Sequence, residues 1–446
     1  MANYPHLKSY EELETTLTRL GLILPLSNDI SLLGKPLTFG STKGSGNQKK
    51  FRLANRFVVQ PMEGFDSGPD GEPTELGFRR YERFAAGGAS LIWFEATAVL
   101  HEVRSNSQQF WLNEKSVDYF ADLLEKTRST ARKSCGHEII TVLQLTHSGR
   151  YSKPKRGVRA PILAQHNGVL DAAHNIPPDY PLITDDELDR LQDVFVAAAK
   201  LAARCGFDGV DIKSCHGYLL NELLGARTRE GKYGGSYENR TRFLRETMIR
   251  IQDEVPAVFV TSRLNVYDAV KFPWGFGVDQ NDYKTWNLME SKQLVNDLIK
   301  IGVPILDITL GNPYFNPHYN RPYSKPIRGA TPYDENPLIG VCRFIEIVRD
   351  IQSSQPDIPM IGAGTAWLRH LVPKVAAGII ASGSAQLFGQ GRSSFAYPDA
   401  PKDILSKGEM DMKKVCTACS GCTELMRNES STGCVVRHRD CYRLPR

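Results

Sequence analysis

Long apolar runs are missing from this 446-residue chain: no stretch approaches the roughly 18 residues a membrane-spanning helix needs. That excludes a helical membrane protein. The N-terminus, MANYPHLKSYEELETTL, also lacks the basic-then-apolar order of a secretory signal, so a cytoplasmic protein is the expectation. Charge of one sign is scarce: the formal net charge is +5 without a long basic tract, which speaks against a nucleic-acid partner. A secreted disulfide framework is disfavoured as well, because nine cysteines is an odd count and five of them crowd from Cys416 onward. What is present is ordinary: 41% hydrophobic and 24% charged residues, enough to bury a large core.

Eight short segments rich in β-branched or aromatic residues recur, each followed by helical periodicity or a loop leading into it. In order they are FVVQPM (57–62), SLIWFEA (90–96), EIITVLQLTH (138–147), GVDIKS (209–214), VFVTSRLN (258–265), PILDITLG (304–311), PMIGAG (359–364) and SAQLFGQGR (384–392). Eight such units over roughly 340 residues predict an α/β fold of the (β/α)8 TIM-barrel kind in preference to a doubly wound sheet. One intervening helix is well signalled, with Thr184 and Glu187 in capping-box spacing and a stop at Gly206. Residues 1–50 form an extension, a helix candidate HLKSYEELETTLTRLG plus a mobile Gly/Ser/Lys loop, expected to cap the lower barrel face. The barrel is assigned to 51–405. A short helix begins near residue 400, and residues 406–446 carry the cysteines.

Barrel chemistry sits at the C-terminal strand ends. There this chain places Gln60, Glu63, Glu95, Gln144, His147, Lys213, His216, Tyr218, Arg263, Asn265 and Arg392. GAGT (362–365) and GQGR (389–392) close the last two units. Their glycines leave backbone N–H groups open to an anion and Arg392 adds a guanidinium, which predicts a phosphate site.

The series NRFVVQPM, GEPTELGFRRYERFAAGGASLIWFEATAV, QLTHSGR, DGVDIKSCHGYLLNELL, YGGSYENR and GQGR resembles the FMN barrel oxidoreductases of the old yellow enzyme group over roughly residues 50–405. The resemblance implies FMN, with Pro61 and Met62 beside the flavin, Gln144 on its pyrimidine edge, Arg263 near N1 and O2, and Gly364, Gly391 and Arg392 on the phosphate. It implies His216 as a donor to a substrate carbonyl and Tyr218 as the acid that protonates carbon. Lys213 departs from the His or Asn of the pattern. It would polarise a carbonyl or hold a carboxylate, with burial lowering its pKa, or else form a structural ion pair with Asp211 or Glu95. His147 reads as structural or flavin-adjacent.

CTACSGCTELMRNESSTGC holds Cys416, Cys419, Cys422 and Cys434, a spacing open to zinc or to an iron–sulfur cluster. Zinc more often takes two separated C-x-x-C knuckles, whereas three close thiolates and a distant fourth suit a cubane. The segment also looks like that of 2,4-dienoyl-CoA reductases, enoate reductases and trimethylamine dehydrogenases, which implies a [4Fe-4S] cluster on these four and leaves Cys441 spare. Those relatives continue into FAD and NAD(P) domains. The expectation here is a separate electron donor (ferredoxin, flavodoxin or a flavin reductase), or NAD(P)H acting directly or through a partner; the tail RHRDCYRLPR would attract an acidic carrier. Anaerobic metabolism fits such a cluster, and a homo-oligomer stays open.

The leading expectation is an ene-reductase for enoates, enoyl thioesters or steroid-like enones. GNPYFNPHYNRPYSKP should wall the substrate site, with Tyr314 and His318 as contacts. An amine dehydrogenase passing electrons outward, or a non-catalytic electron-transfer subunit, are the alternatives. An amine would want an aromatic cage, and Lys213 opposes a cation.

Overall fold

The computed structural model describes residues 6–40, 49–330 and 333–444. A hairpin of β1 (Leu37–Gly40) and β2 (Lys50–Leu53) precedes eight parallel strands, β3 (Phe57–Val59), β4 (Leu91–Ala98), β5 (Ile140–Thr146), β6 (Gly209–Ile212), β7 (Phe259–Tyr267), β8 (Leu306–Leu310), β9 (Met360–Gly362) and β10 (Leu387–Gln390). They run in sequence order around a closed barrel, which β10 completes by pairing with β3, Phe388 opposite Phe57. All eight expected strands are present. β4 and β7 run past the ends of their predicted segments, whereas β3, β6 and β10 stop short, so Pro61, Met62, Lys213 and Arg392 stand beyond the strand ends. Strands buried on both faces are largely apolar, as Leu91–Phe94 of β4 shows, and their polar exceptions, such as Glu95 of β4 and Arg263 of β7, are themselves buried.

The helix Asp185–Cys205 starts on the predicted capping box, Thr184 with Glu187, and ends at Gly206 with φ +94°. Only a residue tolerant of the left-handed region closes a helix in this way. The helix Tyr10–Leu20 begins at a Ser9 cap and buries Leu13 and Leu17.

The β1–β2 hairpin was not legible as strands. Its Leu37, Phe39, Phe51 and Leu53 pack on the N-terminal strand ends, against Val58, Trp93, Phe259 and Ile361 among others. The Phe51 ring meets that of Phe259 edge-on at 4.8 Å. The loop expected to be mobile falls on residues 41–48, outside the described residues.

The chain after Lys407 folds back over the opposite, C-terminal end. Beyond the helix Ala400–Lys407 it forms a second one, Gly421–Arg427, where a single helix was expected. Backbone bonds tie it down: Thr432 N–H donates to Gly64 O at 2.6 Å, and Ser324 N–H to Ala418 O at 3.0 Å. Among the described residues no helix is long and apolar enough to cross a membrane.

Candidate active site

A cavity of about 390 Å³ opens at the C-terminal end of the barrel. Into it face Pro61, Met62, Gln144, Lys213, His216, Tyr218, Arg263, Gly364, Gly391 and Arg392, every barrel residue the sequence assigned to cofactor or catalysis.

One end is built for an anion. Gly364 has φ +86°, and a Cβ there would stand 2.8 Å from the Phe344 ring; one on Gly389 would stand 2.9 Å from the Gln60 side chain. Only glycine lets the backbone pass this close to a ligand. Arg392 donates to Thr423 Oγ1, and Arg321 donates to Ser420 Oγ at 2.9 Å and Thr423 Oγ1 at 3.4 Å. Among the described residues neither guanidinium has a carboxylate partner. Burial, aided by Arg321, depresses the Arg392 pKa to about 9, still a cation at neutral pH. Two converging cations without a protein counter-charge fit a phosphate.

The barrel axis carries two buried carboxylates that order the middle of the cavity. Asp211 accepts from Gln144 Nε2 at 2.6 Å, Trp93 Nε1 at 2.8 Å and the Arg263 N–H at 2.7 Å. Asp307 accepts from Gln60 Nε2 at 2.7 Å and pairs with Arg263 Nε at 3.1 Å. Burial raises the Asp211 pKa to about 7 and that of Asp307 to about 6. Gln144 and Arg263 are thereby anchored where they line the cavity.

The third region follows β6. His216 (φ +67°) and Gly217 (φ +72°) form a left-handed turn, and Tyr218 sits at the head of the helix Leu219–Leu224. A Cβ at Gly217 would stand 2.3 Å from Asn312 Nδ2, so the turn needs glycine there. Asn320 Nδ2 donates to Leu310 O at 3.0 Å and lies 3.3 Å from His216 Nε2. An amide nitrogen only donates, so Nε2 accepts and Nδ1 carries the proton. Burial first, then Arg263, Lys213 and Arg392, hold this imidazole well below its ordinary pKa, hence neutral. Tyr218 is pushed well above its ordinary value by burial and by Glu63. Its hydroxyl lies 2.9 Å from that of Tyr314, whose ring stacks on Tyr151 at 3.9 Å with the Arg427 guanidinium over it.

Several expectations change. Lys213 makes no ion pair with Asp211 or Glu95: Asp211 is filled as above, and Glu95 binds Arg80 and the Gly64 N–H. Lys213 Nζ instead lies 3.9 Å above the Tyr218 ring. His318 is outside the cavity, stacked on Tyr333 at 3.6 Å. His147 accepts from the Gly149 N–H at 3.1 Å and lines a separate surface cleft. Tyr314, Asn320 and Arg321 reach the cavity from the segment GNPYFNPHYNRPYSKP expected to wall it, the last two without having been singled out, whereas Tyr151, Thr423 and Arg427 were not anticipated.

Residues 47–379 match the family described as NADH:flavin oxidoreductase / NADH oxidase. The chain belongs to this family. NADPH dehydrogenase of Bacillus pumilus (strain SAFR-032) is 31% identical over 269 residues, 59% of this chain and 71% of that one. Among solved structures, a 2-naphthoyl-CoA reductase complex has TM-score 0.70 at 19% identity, covering 92% of this chain. The match spans only 57% of that longer chain. The old yellow enzyme homologue from Zymomonas mobilis has TM-score 0.63 at 19% identity, covering 92% of this chain and 99% of that one. Family membership makes the chain an oxidoreductase of flavin- and NAD(P)H-linked chemistry.

Cys416, Cys419, Cys422 and Cys434 are free thiols, half-buried on and around the helix Gly421–Arg427. Burial, with Cys422 and Cys434 adding, pushes the Cys416 thiol up to about 11. Among the described residues no group of three or more His, Cys, Asp or Glu side chains is placed to hold a metal ion.

Proposed function

We propose that the chain is an FMN-dependent ene-reductase acting on α,β-unsaturated carbonyl compounds. The observation that carries this is one cavity joining an uncompensated pair of arginines to a neutral imidazole and a tyrosine hydroxyl. FMN fits: Arg392, Arg321, Gly364 and Gly391 would hold its phosphate, Gln144 and Arg263 its pyrimidine edge, with Pro61 and Met62 against the ring. Bound and reduced, FMN supplies a hydride for the β-carbon of the substrate. His216, neutral with its proton on Nδ1, donates to the carbonyl oxygen as charge gathers there. Tyr218 delivers a proton to the α-carbon. The phenolate left behind is stabilised by the Tyr314 hydroxyl and by the Lys213 cation over its ring.

Cys416, Cys419, Cys422 and Cys434 are proposed as the ligands of a [4Fe-4S] cluster. A single zinc would draw its thiolates to about 2.3 Å of one point, whereas a cubane gives each thiolate its own iron and keeps them apart. The spacing, three close thiolates and a distant fourth, is what supports the cubane over zinc. Arg321 and Arg392 touch the same segment through Ser420 and Thr423, which supports electron entry close to the flavin phosphate. A separate acidic carrier, or NAD(P)H, would be the source.

The test is anaerobic purification with iron, zinc and flavin analysis, then mixing of the reduced protein with an enone panel. Stoichiometric flavin reoxidation with C=C reduction supports the reading; zinc, or no flavin, defeats it. Amine oxidation is disfavoured, because Lys213 and Arg427 already cover the rings of Tyr218 and Tyr314 where a cationic amine would sit; reduction of bound flavin by an amine would reverse this.

A further inference from the structure

We propose that Lys213 forms a carboxylate subsite, so that the compound this site reduces is an α,β-unsaturated acid; the proposal rests on the ene-reductase reading. Lys213 is 3% exposed, lines the cavity, and makes no ion pair among the described residues. Its Nζ lies 3.9 Å above the Tyr218 ring, which cannot neutralise a charge.

The carboxylates near it are engaged elsewhere. Asp211 takes three donors, Asp307 has Arg263 and Gln60, and Glu95 has Arg80. Glu63, in the same cavity, accepts from Ser105 Oγ at 3.3 Å and Gln109 Nε2 at 3.0 Å. Three cations press on His216, and two are accounted for: Arg263 by Asp307, Arg392 by the phosphate-type anion. Lys213 is left over. A buried ammonium without a counter-charge is costly in a folded protein, and a cavity-facing one can obtain that charge from its ligand.

The chemistry asks for the same thing. A neutral enone needs only neutral donors on its oxygen, which a His or Asn supplies. An ionised enoate already carries one negative charge, and forming the C–H bond at its β-carbon places a second on the two carboxylate oxygens. A full positive charge offsets that; a neutral donor does so only weakly. With FMN bound and reduced, the hydride and both electrons would come from the flavin; Tyr218 provides the α-proton, and the saturated acid would leave with its charge unchanged. Lys213 faces one carboxylate oxygen and His216 the other.

The experiment compares 3-phenylpropionate with the isosteric 3-phenylpropanamide by titrating the visible spectrum of the oxidised, flavin-loaded protein at low ionic strength. Neither ligand can be reduced, so the readout is binding. The wild type should prefer the carboxylate by at least about 10-fold. Lys213→Met should remove the preference and Lys213→Arg should retain most of it; flavin content and melting temperature establish that each variant is folded. Equal binding of acid and amide by the wild type overturns the proposal. So does a preference that survives in Lys213→Met, which would move the carboxylate to Arg159 or Arg427 at the cavity mouth. If the two variants lose flavin, the wild-type comparison decides alone. Reduction of cyclohexenone without any carboxylate preference would sink this subsite while leaving the ene-reductase reading intact; a carboxylate preference with no C=C reduction of cinnamate or cyclohexenone would do the reverse.

Discussion

Replacing Arg392 by methionine should push flavin affinity and apoprotein stability in different directions. The guanidinium reaches the glycine cradle, donates to Thr423, and has Arg321 and Arg427 nearby but no carboxylate. Each charge-assisted hydrogen bond to the phosphate is worth roughly 1.5–3 kcal/mol, so FMN affinity should fall about 10- to 150-fold. The apoprotein loses one bond to a hydroxyl, roughly 1 kcal/mol, and is relieved of a buried charge repelled by its neighbours, which offsets a similar amount. Its stability should therefore stay within about 1 kcal/mol of wild type, while the holoprotein loses the linkage stabilisation of the tighter ligand. Fluorescence titration with FMN and denaturant melts of both forms make the comparison. Unchanged FMN affinity with an apoprotein weakened by several kcal/mol would show that Arg392 is a structural residue and that the phosphate site lies elsewhere.

Tyr218→Phe removes the α-proton donor, so single-turnover C=C reduction should slow by about 10²-fold or more with FMN content unchanged; a normal rate would name another acid. Cys416→Ala should lower iron content and visible cluster absorbance while leaving FMN bound, and an unchanged iron content would contradict the ligand assignment. His147, held neutral at a pKa of about 3, and His216, also well below its ordinary value, each contribute a loss of stability below about pH 6.5. Both are depressed by burial, so below pH 6.5 the unfolded chain binds protons the folded one does not, and stability is lost at up to ~1.4 kcal/mol per pH unit for each. Asp211 and Asp307 oppose this over the same range, because their raised pKa values let the folded chain bind protons the unfolded one does not; the His147 part is read as the difference in pH dependence between wild type and His147→Gln. A stability difference between wild type and His147→Gln that does not change between pH 4 and 7 would refute the burial of His147.

The barrel was readable because parallel strands sealed under helices carry apolar stretches such as Leu91–Phe94 of β4. The polar residues that break those runs were readable for the same reason: Gln144 and Lys213 stand where an apolar residue would serve the core better. What stayed hidden was tertiary. Asp211 looked free to pair with Lys213, but Trp93 and Gln144 converge on it from neighbouring strands. Arg321 and Thr423 are remote in sequence and meet only because the chain after Lys407 folds back across the barrel mouth. The β1–β2 hairpin is too short for alternation to stand out, and its place under the barrel depends on Phe259, far along the chain.

The most direct test of the central claim is a single turnover without oxygen: the flavin-loaded protein is photoreduced, mixed with one equivalent of cyclohexenone or cinnamate, and followed by flavin absorbance and product analysis. The account predicts one flavin reoxidised per C=C bond saturated with at least one of the two. A flavin that stays reduced with both would contradict it.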